Sequence, residues 1–171
     1  MIIGYLIVIA LVIIDQISKI IVVNNMELFQ QVIFIKPLLN FRFTYNEGAA
    51  WSILSDHRWI LAIVSVVASG ALLYLMKDFN LKKDKIYSIS MALITGGAIG
   101  NGIDRIFREK GVVDFFEFGF MDFPIFNVAD TFLTIGVFML AIYVLFISKD
   151  GLLPFMSKKE DKKSEEENGL S

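Results

Sequence analysis

Two carboxylates stand where hydrocarbon begins. Asp114 lies in GVVDFFEF, between valines and phenylalanines, and Asp130 lies in FNVADTFLTIGVFML, at the mouth of a long apolar run. Neither has a basic neighbour in sequence. In such surroundings desolvation disfavours the charged form, and two carboxyls brought together repel, so they separate into one ionised and one protonated member. A pair of that kind hydrolyses acyl bonds: the carboxylate activates water while the acid polarises a carbonyl, and its titration belongs to the pair. Other nucleophiles are scarce. There is no cysteine, which excludes thiolate catalysis, disulfides and cysteine metal sites. His57 is the single histidine, and its context SDHRW suits a solvated interface residue better than a triad member.

More ionisable and amide side chains sit inside apolar sequence, where each is costly and so becomes a candidate site residue. Asp15 and Lys19 are spaced i, i+4 and can pair on one helical face. In GGAIGNGIDR, Gly97, Asn101, Asp104 and Arg105 form one stripe, and the glycines permit close approach of another helix or a ligand. Asn127 precedes Asp130 by three. Each has a plain structural reading. Asp15 with Lys19 serves as a buried ion pair, Asp104 with Arg105 as a scaffold pair, Asn127 as a helix cap and Asp130 as a complement to the helix dipole.

The elements that must position these groups are membrane helices. The chain has 171 residues, is 56% hydrophobic and has mean hydropathy +0.63. Four apolar stretches, 1–23, 59–76, 86–103 and 131–147, each approach the roughly 20 residues that cross a bilayer core. A buried soluble bundle is the bland alternative, and the length and apolarity of the stretches argue against it. Lys77, Lys82, Lys83 and Lys85 crowd the short link between the second and third stretches, and five lysines follow the fourth. The positive-inside rule places both groups, and hence both termini, in the cytoplasm. Segments 24–58 and 104–130 then face outward. Asp15 falls about 21 Å along the first helix at its usual rise, in the outer half of the bilayer, level with the other polar groups. The N-terminus lacks a basic leader region and carries Asp15 and Lys19, so it reads as the first helix of the mature protein.

The outward segments have patterns of their own. Phe41, Phe43 and Tyr45 alternate with Arg42 and Thr44, a strand period, and Asn46 to Gly48 supply turn chemistry. A small extracytoplasmic sheet resting on the membrane is expected. Asp114 is expected in a loop joining the third and fourth helices. Six phenylalanines at 115, 116, 118, 120, 123 and 126 either line an apolar groove or anchor at the interface. The fold class is therefore membrane α-helical: four transmembrane helices, a small sheet and an interfacial loop. Residues 1–150 form one domain that includes both outward segments, and 151–171 form a disordered, charged cytoplasmic tail. From the residues alone three functions stay open. One is an aspartic hydrolase at the outer boundary. Another is a lipid-phosphate enzyme holding Mg²⁺ on Asp104, Asp114 and Asp130. The third is a proton-coupled transporter.

Five blocks in order narrow the choice: DQISK, NEGAAW, GNGIDR, VVDF and FNVAD. Together they resemble the lipoprotein signal peptidases, or signal peptidase II, over nearly the whole chain up to about residue 147. The resemblance implies an aspartic endopeptidase of the bacterial cytoplasmic membrane. Such an enzyme cleaves prolipoprotein signal peptides before a cysteine that already carries diacylglycerol. It implies Asp114 and Asp130 as the catalytic pair at the outer membrane face. Asp15, Lys19, Asn46, Gly48, Asn101, Asp104, Arg105, Asn127 and Ala129 are implied as the surrounding site, with Arg105 ordering Asn46 or substrate carbonyls. The implied partners are the lipidated substrate and membrane lipid, not nucleic acid, for a monomer with no cofactor and no metal. The glycine and small residues of NEGAAW suggest a closing flap.

Overall fold

The computed structural model describes residues 2–48 and 58–148. His57, the alanines and tryptophan of the NEGAAW block, and the 151–171 tail lie outside the described residues. The chain runs α1 (Ile2–Asn25), β1 (Gln31–Ile35), β2 (Leu39–Asn46), α2 (Arg58–Leu75), α3 (Lys85–Phe107), β3 (Val112–Phe118) and α4 (Val128–Ile142). A short 3₁₀ turn extends α2 to Asp78, and a π turn extends α4 to Ile147. Four helices, with their extensions, are long and apolar enough to cross a membrane: Ile2–Asn25, Trp59–Asp78, Lys85–Phe107 and Val128–Ile147.

Burial is arranged for lipid rather than water. On α1, Ile2, Leu6, Ile9 and Ile13 are at least half exposed, while Asp15 and Lys19 are completely buried. Apolar side chains outside and paired polar ones inside are what a hydrocarbon solvent demands. The central helix is α3. Its buried face is built from small and polar residues, including Ser88, Ser90, Thr95, Gly97, Gly100 and Asn101. The small side chains let its neighbours come close. A β-carbon on Gly100 would sit 2.6 Å from an Asp15 carboxylate oxygen, and one on Gly97 would collide with the Ala129 carbonyl. These two positions bring α1 and α4 against α3 at one level.

Segments 24–58 and 104–130 both contribute strands to a single antiparallel sheet of order β1-β2-β3. The alternation at 41–45 is strand β2, as its period predicts. Asp114, expected in a loop, instead lies within β3, opposite Thr44. The physical reason is the run VVDFFEF, whose β-branched and aromatic residues suit a pleated, half-buried surface. Phe43, Val113 and Phe115 form a buried cluster with Val22 at the end of α1, which seats the sheet on the bundle. The edge strand β1 leaves all five side chains exposed, Val32 to Ile35 among them. Helix α4 begins three residues before the apolar stretch at 131, because Asn127 and Asp130 form a reciprocal capping box.

The glycine contacts give a paired test. Gly70 on α2 has open space where a β-carbon would go. Gly100→Ala is expected to cost about 1–3 kcal/mol through overpacking against Asp15. Gly70→Ala is expected to stay within about 0.5 kcal/mol of the parent. Thermal unfolding of the purified proteins in detergent measures both.

Candidate active site

The polar groups converge around Lys19. Its Nζ lies 2.9 Å from Asp15, 3.0 Å from Asp104 and 2.9 Å from Asn101 Oδ1. An ammonium has three hydrogens, so all are used. A buried charge without such partners would carry a severe desolvation penalty. The expected pairing of Asp104 with Arg105 is not found. Asp104 instead binds Lys19 with one oxygen and Arg108 with the other, at 2.9 Å, and accepts the Val113 backbone N–H at 3.2 Å. Arg108 follows Asp104 by one helical turn, which aims both side chains along one face. Arg105 points elsewhere and donates to Ser65 on α2 at 3.1 Å.

Asp15 carries the network on to α4. One oxygen accepts the Ala129 N–H at 3.0 Å, in the first turn, where free amides and the helix dipole attract an anion. Gln16 bridges the web: its Nε2 lies 3.1 Å from Asp15, 3.2 Å from Asp104 and 3.0 Å from the Gly100 carbonyl. Gln16, Arg108 and Ser65 are absent from the residues singled out by sequence. An intramembrane amide beside Asp15 and an arginine four residues after Asp104 are signals that point to the first two. Ser65 has no such signal.

The two candidate carboxylates meet at Asn127, which is fully buried. Its amide nitrogen donates to Asp114 at 2.7 Å, and its backbone N–H donates to Asp130 at 3.1 Å. Its amide oxygen accepts the Asp130 N–H at 3.0 Å, so the amide orientation is determined by an obligate donor. Asn101 Nδ2 donates to the other Asp130 oxygen at 2.7 Å. Asn46, at the end of β2, donates to Asp114 at 3.0 Å, while its oxygen accepts the Gly48 N–H at 2.9 Å. Gly48 takes φ +91°, a conformation that favours glycine. Asp114 is only 2% exposed. Burial, then the nearby Asp130 charge, pushes its carboxyl up to about 7, against the lowering influence of the Asn46 and Asn127 amides and Lys19.

Several openings adjoin the site, and one of about 540 Å³ is lined by Asp114 together with Asn46 and Glu47. An apolar groove of about 430 Å³ runs from Asp130 along α4 to Ile135, walled by Phe118, Phe123 and Phe126. Of the six phenylalanines, these three line it. Phe115 is core and Phe120 is largely exposed, so the groove and surface readings each hold for part of the set. A further cavity of about 230 Å³ is lined by Asn46, Glu47, Gly48, Leu61, Arg105, Glu109 and Gly111. Arg105 thus shares a cavity with Asn46 without a hydrogen bond between them among the described contacts. Ten of the eleven residues singled out by sequence occupy one connected web, Gly48 through its N–H to Asn46, and Arg105 lines the adjoining cavity. Among the described residues no three His, Cys, Asp or Glu side chains form a metal-binding group, and the oxygens of Asp104 are taken by cations. The chemistry this arrangement can do is general acid/base catalysis by two neighbouring carboxyls.

Comparison with known proteins agrees with the geometry. The family model described as signal peptidase (SPase) II matches residues 7–146. A lipoprotein signal peptidase of Listeria monocytogenes is 45% identical over 142 residues, 82% of this chain and 91% of that one. That of Listeria welshimeri is 44% identical over the same length and shares. Two solved structures of a bacterial membrane enzyme superpose with TM-scores of 0.73 and 0.71, at 35% and 36% identity. The first covers 85% of this chain and 94% of its own, the second 83% and 87%. With four membrane helices, a seated three-stranded sheet and this degree of likeness, the chain belongs to the signal peptidase II family, aspartic peptidases of bacterial membranes that remove signal peptides from prolipoproteins.

Proposed function

We propose that Asp114 and Asp130 are the catalytic pair, and that the enzyme cuts a prolipoprotein just before its diacylglyceryl-modified cysteine. The observation that carries this reading is Asn127, which holds one carboxyl with its side chain and the other with its backbone. One carboxylate takes a proton from water. The other, protonated, hydrogen-bonds the scissile carbonyl. A tetrahedral intermediate then collapses without a covalent enzyme adduct. Asp15, Lys19, Asn101, Asp104 and Ala129 support the pair, and Asn46, Gly48 and Arg105 border the substrate. The groove beside Asp130 suits acyl chains, because aromatic walls with one carboxylate at the end match a lipid joined to a reacting peptide.

The same reading places the pair at the outer membrane face and both termini in the cytoplasm. Its support is charge: Lys77, Lys82, Lys83 and Lys85 lie at the opposite end of α2 and α3 from Asp104. The exposed apolar edge of β1 rests on lipid, residues 1–150 form the working unit, and the enzyme acts as a monomer with the charged 151–171 tail outside it. The absence of cysteine makes topology simple to test. Lys110→Cys should react with an impermeant maleimide on intact cells, and Lys82→Cys only after permeabilisation. The reverse pattern would invert the orientation.

Turnover of a diacylglyceryl-modified prolipoprotein by the purified enzyme tests the chemistry. Asp114→Asn and Asp130→Asn, each checked for folding, are expected to lose at least about 10²–10⁴-fold in kcat. EDTA is expected to leave the parent rate unchanged, whereas loss with EDTA would overturn the metal-free mechanism.

The pH dependence follows from Asp114. Below about 7 its carboxyl holds the proton that the mechanism needs, and above about 7 it is ionised and the acid is lost. The rate should therefore fall on the alkaline side of about 7. Asn46 favours the ionised form by donating to it. Asn46→Ala should move that alkaline limb to higher pH, and a limb that stays in place would separate it from Asp114.

A further inference from the structure

A pair with one proton can place it on either member, and the two carboxyls here have different surroundings. Asp130 is the third residue of α4, where the positive end of the helix dipole favours a negative charge. It is partly exposed at the groove and so is less enclosed than Asp114. One oxygen takes the Asn127 N–H, which cannot accept. The other takes Asn101 Nδ2, and that amide cannot turn, because Lys19 presents only donors to its oxygen. The ammonium polarises Asn101, and the polarised N–H points at Asp130. Asp114 has none of these local advantages, and the Lys19 ammonium favours its charge only through space. Asp114 sits in a strand, 2% exposed, and its two donors are the amides of Asn46 and Asn127, neither of which faces a cation through its own oxygen.

The other charged groups do not reverse this difference. Asp15 on α1 and Asp104 on α3 are balanced by Lys19 and Arg108. Arg105 and Glu109 face the adjoining cavity, and Glu47 lines both it and the opening at Asp114, where a like charge does not favour ionising that carboxyl. Among the described side chains, α2 contributes no charge and α4 none beyond Asp130. We propose that the shared proton rests on Asp114, that Asp130 is the base, and that Lys19, acting through Asn101, is the positioning residue that keeps the charge on Asp130.

This rests on the catalytic reading above and assigns its steps. Water forms the new C–O bond and gives a proton to Asp130. Asp114 gives its proton to the carbonyl oxygen. On collapse the hydroxyl returns that proton to Asp114, the C–N bond breaks, and the leaving nitrogen takes the proton from Asp130. The resting state is restored. The upward displacement of the Asp114 carboxyl to about 7 agrees with its holding the proton.

Carbon-13 carboxyl signals of aspartate-labelled enzyme in nanodiscs test the assignment, with Asp114→Asn and Asp130→Asn identifying the two resonances. About one pH unit below the Asp114 midpoint, Asp114 should read as acid and Asp130 as carboxylate. Asn101→Leu removes the polarised donor and leaves Lys19 paired with Asp15 and Asp104. In it, Asp130 should gain acid character, and kcat at the acid end should fall about tenfold further than at the profile's maximum. Lys19→Met combined with Asp15→Asn preserves the net charge of the buried cluster and should move the signals the same way. A merely structural role would lower kcat evenly across pH and leave the signals in place. Acid character on Asp130 in the parent, or an unmoved distribution in both variants, overturns the proposal. Failure of the parent to cleave, or cleavage surviving in either Asp→Asn variant, overturns the catalytic reading instead.

Discussion

A single buried ammonium organises the site. Lys19 has no contact with solvent, and each of its hydrogens faces a different acceptor: Asp15 on its own helix, and Asp104 and Asn101 on α3. In the low dielectric of a bilayer that charge is tolerable only when fully paired, and removing one partner of such a set typically costs about 3–5 kcal/mol. The acceptors pass the constraint on. Asp15 reaches the first turn of α4, and Asn101 reaches Asp130 in the same turn. Three helices are thereby registered at one depth, which is the depth of the proposed chemistry.

The sheet supplies the remaining member. Strand β3 is held on one side by β2, with Thr44 opposite Asp114, and on the other by polar contacts to the bundle. The Val113 N–H reaches Asp104, and the Val113 carbonyl accepts from Asn127. The residue before Asp114 is thus tied to the Lys19 cluster and to the cap of α4 at once. Phe43 and Phe115 fill the space between sheet and α1, so the strand cannot slide without opening a buried aromatic cluster. A capping asparagine and the scaffold of the proposed catalytic pair are here the same residue. Asn127 satisfies the end of α4 and aligns both carboxyls, so its structural and functional readings are complementary.

Much of this was legible in the chain. Spans follow from the length of apolar runs, because a bilayer permits only elements that satisfy their own backbone. The Asp15–Lys19 pair follows from i, i+4 spacing. The strand at 41–45 follows from its period, and the family follows from five ordered blocks carrying the candidate residues. Arg108 is equally legible at one turn from Asp104, although the adjacent Arg105 is the nearer charge in sequence. Side chains at i and i+1 diverge on a helix, so adjacency was the wrong guide.

What the sequence by itself determined is therefore local: where helices run, which residues are costly in lipid, and which face each occupies. Tertiary structure alone decided the partners. It chose Lys19 and Arg108 rather than Arg105 for Asp104, set Gln16 between two carboxylates, sent Arg105 to Ser65, and paired β3 with β2 so that Asp114 is held in a strand. The reason is distance along the chain. Periodicity reports on residues within about one turn or one pleat, whereas Lys19 and Asn101, or Asn46 and Asp114, meet only after whole helices have packed. Small residues at Gly97 and Gly100 let that packing close, and their effect exists only when the facing helix is in place.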